Sequence, residues 1–172
     1  HTGTSMSQTH SDLHSAFQGT IGRTHTESVP WWSPPVTAAS GSPNVIYVVL
    51  DDVGFADLGC FGSEIPTPHI DALASQGLRY TNFHTTTLCS PSRASLLTGR
   101  NHHAIGMRML SNLDTGFPSG RGSITPAAAT IAEILRDRGY NTMCVGKWHL
   151  APTEHTSAAG PYDQWPLGRG FE

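Results

Sequence analysis

A stretch of twelve residues, 89–100, combines side chains that could do chemistry with the signals of a short helix. Pro91 is typical of the first position of a helix, and Gly99 is typical of the residue that follows one. Cys89 would then lie at the helix N-terminus, where free backbone N–H groups and the helix dipole favour anions. Arg93 lies four residues later on the same face and adds a fixed positive charge. A nucleophile, an anion-binding helix end and a cation together indicate chemistry on a negatively charged ester.

Two carboxylates directly follow an apolar segment of the sequence. Residues 44–50 form a nearly continuous apolar run rich in β-branched side chains, which predicts a strand buried on both faces, as in a parallel sheet. Asp51 and Asp52 come at its carboxyl end, the edge at which open α/β sheets bind ligands. Because adjacent carboxylates repel each other, a hard divalent cation is the simplest explanation of the pair. A solvated turn after the strand is the alternative interpretation.

A second predicted strand leads into a lysine and a histidine. The extended stretch that begins at Asn141 ends in Lys147 and His149, and side chains two residues apart on a strand point to the same side. Gly139 closes the helix that precedes this strand. The pattern therefore predicts a helix–turn–strand unit that delivers both polar side chains to the carboxyl end of a strand. An exposed pair on a strand edge is the alternative.

The elements that must position these residues are predicted from Asn44 onward in the order strand, loop, helix, strand, helix, long loop, helix, strand. Thr67 and Pro68 begin the first helix and Gly77 closes it; residues 78–83 form the next strand. The last helix begins near Thr125. The residues expected on the inward faces of these two helices are Ile70, Leu73 and Ala74 in the first, and Ile131, Ile134 and Leu135 in the last. Buried strands that alternate with helices predict an α/β fold.

Three flanking regions lack regular periodicity. Residues 1–43 are rich in Ser, Thr, Gly, Pro and His and are expected to form an extended or disordered leader. Residues 101–124 form a loop long enough to suggest a functional role, and we expect it to wall the substrate pocket. Within that loop His102 and His103 are candidate acid–base residues, although structural or surface roles are the favoured interpretation. Residues 151–172 show no element of their own.

Composition excludes several classes of protein. A net charge of −3 over 172 residues gives no indication of nucleic-acid binding. No apolar run approaches the roughly 20 residues that span a bilayer. The three cysteines, Cys60, Cys89 and Cys144, are an odd number and do not form a disulfide framework, which favours a reducing compartment. No signal peptide is visible, so the expected localisation leans toward the cytoplasm and is otherwise open.

Together the three motifs, in this order, resemble the type I sulfatases. The family signature is Cys-x-Pro-x-Arg followed by Leu-Thr-Gly-Arg, preceded by a strand that ends in Asp-Asp and followed by Gly-Lys-Trp-His. The resemblance implies an alkaline-phosphatase-like doubly wound sheet. It also implies that Cys89 is oxidised to formylglycine, with Arg93 holding that group, Lys147 on the sulfate and His149 beside the formylglycine. Asp51, Asp52 and the group at position 89 would bind calcium, with magnesium or another divalent cation as alternatives.

The activity implied by the resemblance is hydrolysis of a small-molecule sulfate ester. One hydroxyl of the formylglycine hydrate attacks sulfur, and the other loses a proton to His149 as sulfate is expelled. A formylglycine-generating enzyme would be the partner that matures Cys89. The residues around Asn101 favour an arylsulfatase-like enzyme. The alternatives are a phosphonate or phosphate ester hydrolase of the same superfamily, a thiol enzyme, and an inactive fragment or pseudoenzyme that binds metal or sulfated ligands.

Residues 44–172 are expected to be the amino-terminal part of a sulfatase catalytic domain. Sulfatases have several hundred residues, and the resemblance implies that a second metal-binding pair, a second histidine and a second lysine come from beyond Glu172. A few strands and helices cannot cover both faces of a doubly wound sheet, so we expect exposed apolar surface. In isolation the chain is expected to show little turnover and a tendency to aggregate.

Overall fold

A computed structural model describes residues 17–172 of the chain, which divides into two compact units, His1–Thr37 and Ala38–Glu172. The described part of the first unit contains a short 3-10 helix, His25–Glu27, and an isolated antiparallel bridge between Thr20 and Val29. Residues 1–16 of the predicted leader lie outside the described residues. The second unit carries all of the candidate site residues.

The second unit contains three α-helices, which we number α1 (Pro68–Gln76), α2 (Cys89–Thr98) and α3 (Ile131–Arg136). Single turns of 3-10 helix lie before, between and after them, at Phe55–Asp57, Gly59–Phe61, His102–Ile105, Thr153–His155 and Leu167–Arg169. Over residues 17–172, no helix has the length and apolar character needed to cross a membrane.

The predicted limits of the helices are confirmed at some ends and wrong at others. Helix α1 begins at Pro68 and gives way to Gly77, as predicted, and α2 ends at Gly99, whose φ of 64° places it in the left-handed region. Helix α2 begins at Cys89, so Pro91 occupies its third position rather than its first. Helix α3 begins at Ile131 and not near Thr125, because the preceding residue caps it.

The cap of α3 explains why this helix starts late. The Thr130 hydroxyl accepts a hydrogen bond from the Glu133 amide, and the Glu133 carboxylate accepts one from the Thr130 amide. These reciprocal bonds satisfy backbone donors that an α-helix leaves free at its first turn. The predicted apolar faces are only partly right: Leu73 of α1 is 73% exposed and Ile134 of α3 is 53% exposed, whereas Ala132 of α3 is buried.

The predicted sheet is not observed. No strand is assigned within residues 17–172, and no backbone hydrogen bond joins the described segments 44–50 and 141–147. Both segments line one cavity of about 770 Å³, together with residues of α2 and α3. Their apolar side chains are exposed: Ile46 is 83%, Val48 80% and Val145 99% exposed. A strand needs a backbone partner as well as a β-prone sequence, and these segments have none here.

The buried core lies instead between α2, the long loop and the end of the Lys-Trp-His segment. Its members are Ala94, Ile105, Met107, Ile124, Ala128 and Leu150, each at most 2% exposed. Three of the six, Ile105, Met107 and Ile124, come from or border the 101–124 loop, which also forms an isolated bridge between Met107 and Gly120. The loop therefore contributes three side chains to the core, and none of its residues lines the cavity described above.

Arg169 fixes residues at the end of the chain against the start of α3. Its side chain is buried, with Nη2 2.6 Å from the Ala128 carbonyl oxygen and Nη1 3.3 Å from that of Ile124. Nη2 also lies 3.4 Å from the Glu133 carboxylate, and the Arg169 carbonyl accepts a 2.8 Å hydrogen bond from the Thr130 hydroxyl. One buried guanidinium therefore joins three parts of the chain.

Gly170, the next residue, joins the same part of the chain to Thr142, in the segment that leads to Lys147. Its φ is 94°, and a Cβ at this position would lie 2.4 Å from the Glu133 amide nitrogen, so only glycine fits. The Gly170 carbonyl accepts a 2.6 Å hydrogen bond from the Thr142 hydroxyl, and the Thr142 carbonyl accepts one from the Glu172 amide. Thr142 is therefore fixed five residues before Lys147.

Replacing the buried guanidinium tests this attachment. We expect Arg169→Ala to lower the free energy of unfolding by about 2–4 kcal/mol, because it leaves buried carbonyl groups and a carboxylate without their donor. Arg138→Ala, at an exposed position just after α3, is the matched control and should change it by less than about 0.5 kcal/mol. Urea unfolding measures both. Equal stability of the two variants would show that Arg169 does not hold the segment.

Candidate functional site

Asp51 is the centre of a charged cluster that joins three distant parts of the sequence. Its Oδ1 atom lies 3.1 Å from Nη2 of Arg93 in α2, and its Oδ2 atom lies 2.6 Å from Nζ of Lys147. Arg93 also donates from Nη1 to the Lys147 carbonyl oxygen at 2.6 Å. The Asp51, Arg93 and Lys147 side chains are 36%, 14% and 41% exposed, respectively, so solvent reaches the cluster.

Cys89 and His149 form the second half of the site. The Cys89 Sγ atom lies 3.1 Å from Nδ1 of His149, a hydrogen-bonding distance between the first residue of α2 and a residue sixty positions later. Because Arg93 belongs to the same helix as Cys89, and Lys147 precedes His149 by two residues, the thiol and the charged cluster are neighbours. The structure thus brings together five of the six side chains that the sequence singled out.

The His149 main chain adopts a conformation that is uncommon for a residue with a side chain. Its φ is 55°, in the left-handed region. Both neighbours are anchored: Leu150 is fully buried, and Trp148 donates from Nε1 to the Gln164 carbonyl oxygen at 2.8 Å while its ring meets that of Phe171 edge to face. Surrounding contacts therefore hold a strained residue, a pattern that is concentrated at functional sites.

Charge pairing and burial set the protonation states of the site. Hydrogen bonds from Lys147, and then from Arg93, lower the pKa of Asp51. The Asp51 carboxylate in turn raises the pKa of Lys147. Burial lowers the pKa of His149, and the nearby charges of Lys147 and Arg93 lower it further. Near pH 7 Asp51 is therefore an anion, Lys147 a cation and His149 a neutral imidazole that can accept a proton.

The predicted metal ligands Asp51 and Asp52 form only part of a metal site. Asp52 follows Asp51 with a φ of 54°, a conformation that aspartate tolerates better than most residues. Both oxygens of Asp51 contact cationic side chains, and residues 17–172 contain no group of three or more His, Cys, Asp or Glu side chains arranged to hold a metal. Calcium takes about six to eight oxygen ligands. Two carboxylates suit a hard cation as part of a site and do not complete one.

The two histidines of the long loop are occupied with local contacts. His102 Nδ1 lies 2.9 Å from the Met107 carbonyl oxygen, and the His103 ring packs on that of His102 with centroids 4.2 Å apart. These contacts fit the structural role that the sequence favoured for the pair.

Sequence reasoning missed Ser90, which is completely buried beside Cys89. Its hydroxyl donates to the His149 carbonyl oxygen at 2.7 Å and accepts from the Ser111 amide at 3.2 Å. Its place between Cys89 and Pro91 in the motif was visible, but no spacing rule indicates which distant backbone group such a hydroxyl meets.

Comparisons with known proteins place the chain in a family. A family model described as Sulfatase matches residues 43–172. An arylsulfatase of Klebsiella aerogenes is 41% identical over 110 residues, 63% of this chain and 24% of that protein. Human arylsulfatase A is 44% identical over 115 residues, 66% of this chain and 22% of that protein. Human steryl-sulfatase is 40% identical over 145 residues, 81% of this chain and 24% of that protein.

The chain belongs to the sulfatase family, in its type I branch. Membership implies the α/β architecture of the alkaline-phosphatase-like enzymes, although no strand is assigned within the described residues. The chain spans about a quarter of the length of the curated relatives it matches.

A conservative change at Arg93 tests the geometry of the charged cluster. Lysine keeps the charge but cannot reach both the Asp51 carboxylate and the Lys147 carbonyl. We therefore expect Arg93→Lys to lower the melting temperature by roughly 2–4 °C, the shift that follows the loss of one hydrogen bond in a domain of this size. Arg100→Lys, at an exposed position after α2, should leave it unchanged. If the two variants have the same melting temperature, Arg93 does not join Asp51 to the Lys147 main chain.

Proposed function

We propose that this chain supplies part of the active site of a sulfate-ester hydrolase, with Cys89 matured to formylglycine as the nucleophile. The observation that carries the proposal is the contact of Cys89 Sγ with His149 Nδ1, beside a lysine and an arginine held by one carboxylate. A proton acceptor beside residue 89 and cations next to it suit displacement at an anionic sulfate ester. Membership of the sulfatase family supports the same reaction.

Formylglycine, when present and hydrated, supplies two hydroxyl groups on one carbon, so the group that attacks sulfur is later released from sulfate by collapse to the aldehyde. A thiol has one ionisable hydrogen and would retain the sulfate. In the matured residue a hydroxyl oxygen would take the place of Cys89 Sγ, which lies 3.1 Å from His149 Nδ1. His149 is suited to accept the proton of the hydroxyl that does not attack sulfur, because burial and the two nearby cations keep the imidazole neutral by lowering its pKa.

Lys147 and Arg93 perform different tasks in this account. Lys147 is 41% exposed at the edge of the cluster, so its ammonium group can turn from Asp51 to the sulfate oxygens of a bound ester. Arg93 is 14% exposed and holds both Asp51 and the Lys147 backbone, so it orients the cluster and keeps positive charge near position 89. The charge that develops on sulfate oxygens in the transition state is where such donors act most strongly.

Asp51 and Asp52 would hold a divalent cation together with ligands outside the described residues. A bound cation of this kind would supply Lewis acidity for the displacement at sulfur. Calcium suits a pair of carboxylates, with magnesium as the alternative. In the arrangement described, the Lys147 and Arg93 side chains neutralise Asp51, and the Lys147 ammonium group is the one free to move when a cation or a substrate anion binds.

The class of alcohol that carries the sulfate is inferred from the names of the matched relatives. The matched relatives are named as arylsulfatases and as steryl-sulfatases, so aryl sulfates are the first class to test and steroid sulfates the second. A phosphonate or phosphate ester hydrolase is the alternative, because those esters also present an anionic tetrahedral centre. The maturing partner would be a formylglycine-generating enzyme.

The assay that tests the function uses the full-length protein, produced in a host that matures sulfatases and supplied with calcium. We expect release of p-nitrophenol from p-nitrophenyl sulfate, with much slower turnover of p-nitrophenyl phosphate and phenylphosphonate esters. Loss of turnover in Cys89→Ala is the matched control for the nucleophile. Faster cleavage of the phosphorus esters would favour the alternative function, and no cleavage of any ester would contradict both.

Lys147→Ala tests the role given to the lysine. We expect the rate of sulfate ester hydrolysis to fall by about 10²–10³, the usual effect of removing one donor to a transition-state anion. Arg136→Ala, at the exposed end of α3, should keep the full rate. The melting temperature of each variant shows that it is folded. An unchanged rate in folded Lys147→Ala would remove the lysine from the mechanism.

A further inference from the structure

Ser90 lies at the point where three segments of the chain meet. It is the second residue of α2, directly after the nucleophile position, and none of its surface is exposed. Its hydroxyl donates to the main-chain carbonyl of His149, and the same oxygen accepts from the Ser111 amide in the 101–124 loop. The Ser90 hydroxyl therefore donates one hydrogen bond and accepts another, both with backbone groups of the protein.

Ser90 binds the main chain of His149, a residue in a strained backbone conformation. His149 has a φ of 55°, and a non-glycine residue persists in that region only where its surroundings enforce it. The 2.7 Å bond from Ser90 is made to the carbonyl of this same residue. A rotation of the His149 backbone out of the left-handed region would turn that carbonyl away and would swing the imidazole away from Cys89.

The neighbouring serine of the same helix has a different environment. Ser92 is half-buried, and its hydroxyl pairs with the Thr86 side chain at 2.6 Å and with the Thr86 carbonyl at 3.2 Å. Those contacts lie within the turn before α2. Ser92 therefore matches Ser90 in size, chemistry and helix and differs in its partners, which makes it the control for any general effect of removing a hydroxyl from α2.

We propose that Ser90 is a positioning residue: its hydroxyl fixes the His149 main chain so that the imidazole Nδ1 faces the reactive atom of residue 89. The proposal rests on the proposed function for the statement that this contact matters in catalysis. The geometric part concerns the contact between residues 89 and 149 and can be tested without any turnover.

The test of geometry uses the full chain in which Cys89 has been left as a thiol. His149 Nδ1 lies 3.1 Å from Sγ and is placed to accept the thiol proton when Cys89 reacts, so the rate of alkylation by iodoacetamide reports their contact. Mass spectrometry of the tryptic peptide that spans residues 80–93 gives the rate for Cys89, and the exposed Cys144 in the same molecule gives the reference rate. We expect Ser90→Ala to slow Cys89 relative to Cys144 about tenfold, the equivalent of one hydrogen bond, and Ser92→Ala to change it less than about twofold.

Two further comparisons of alkylation rates separate loss of the hydroxyl from loss of folding. Ser90→Thr and Ser90→Val have the same shape and differ by the hydroxyl, so Thr should preserve the alkylation rate and Val should slow it, whether or not Ser90→Ala folds. In a His149→Asn background, Ser90→Ala should cause no additional slowing, because the two residues act through one contact. Equal rates for Thr and Val, or the same slowing with and without His149, would overturn the proposal.

Kinetics of the matured full-length enzyme separate the positioning role from a structural one. With rates normalised to the fraction of formylglycine, Ser90→Ala should lower kcat about tenfold and leave KM unchanged, since His149 acts on the chemical step and not on substrate binding. Absence of turnover in the wild-type enzyme would contradict the proposed function alone, because the alkylation rates would still decide the role of Ser90. An unchanged kcat in Ser90→Ala would contradict the positioning role.

Discussion

The site depends on a single carboxylate that has two cationic partners. Asp51 contacts Arg93 through one oxygen and Lys147 through the other, and Arg93 closes the triangle by donating to the Lys147 carbonyl. These contacts place together helix α2 and the ends of the two apolar segments, without a hydrogen-bonded sheet between the segments. Removing the carboxylate would leave two like charges side by side, which is unfavourable at such short range.

Unusual backbone conformations complete the geometry where the two segments end. Asp52 and His149 have φ values of 54° and 55°. Asp52 directly follows Asp51, and His149 lies two residues after Lys147, the ion-pair partner of Asp51. A left-handed residue turns the chain sharply, so consecutive side chains leave in different directions. Asp51 can therefore face the cations while Asp52 projects elsewhere, and His149 can face Cys89 while Leu150 enters the core.

Much of the site could be predicted because its information is local. The Cys-Ser-Pro-Ser-Arg run, the Asp-Asp pair and the Lys-Trp-His run are short, and the Gly99 helix end follows from one residue's conformational preference. The roles given to these residues remain proposals. Family membership was also predictable and is confirmed by the match over residues 43–172.

The features that could not be predicted depend on non-local contacts. The β-branched run at 44–50 has a strand-like composition, but a strand also needs a backbone partner, which no described residue provides. The long loop contributes Ile105, Met107 and Ile124 to the core although its sequence lacks periodicity. Helix α3 starts after its Thr130 cap rather than near Thr125, and Arg169, about forty residues later, binds the carbonyls of Ile124 and Ala128 in the turn before that cap.

The central claim is that residue 89 works as formylglycine within this cluster, and its oxidation state is the most direct test. The measurement is mass spectrometry of the tryptic peptide spanning residues 80–93, taken from the full-length protein in its native host. The account predicts an aldehyde in place of the Cys89 thiol, together with its hydrate. An unmodified cysteine, in a host that matures its other sulfatases, would contradict it and would leave a thiol enzyme or a pseudoenzyme as the explanation of the site.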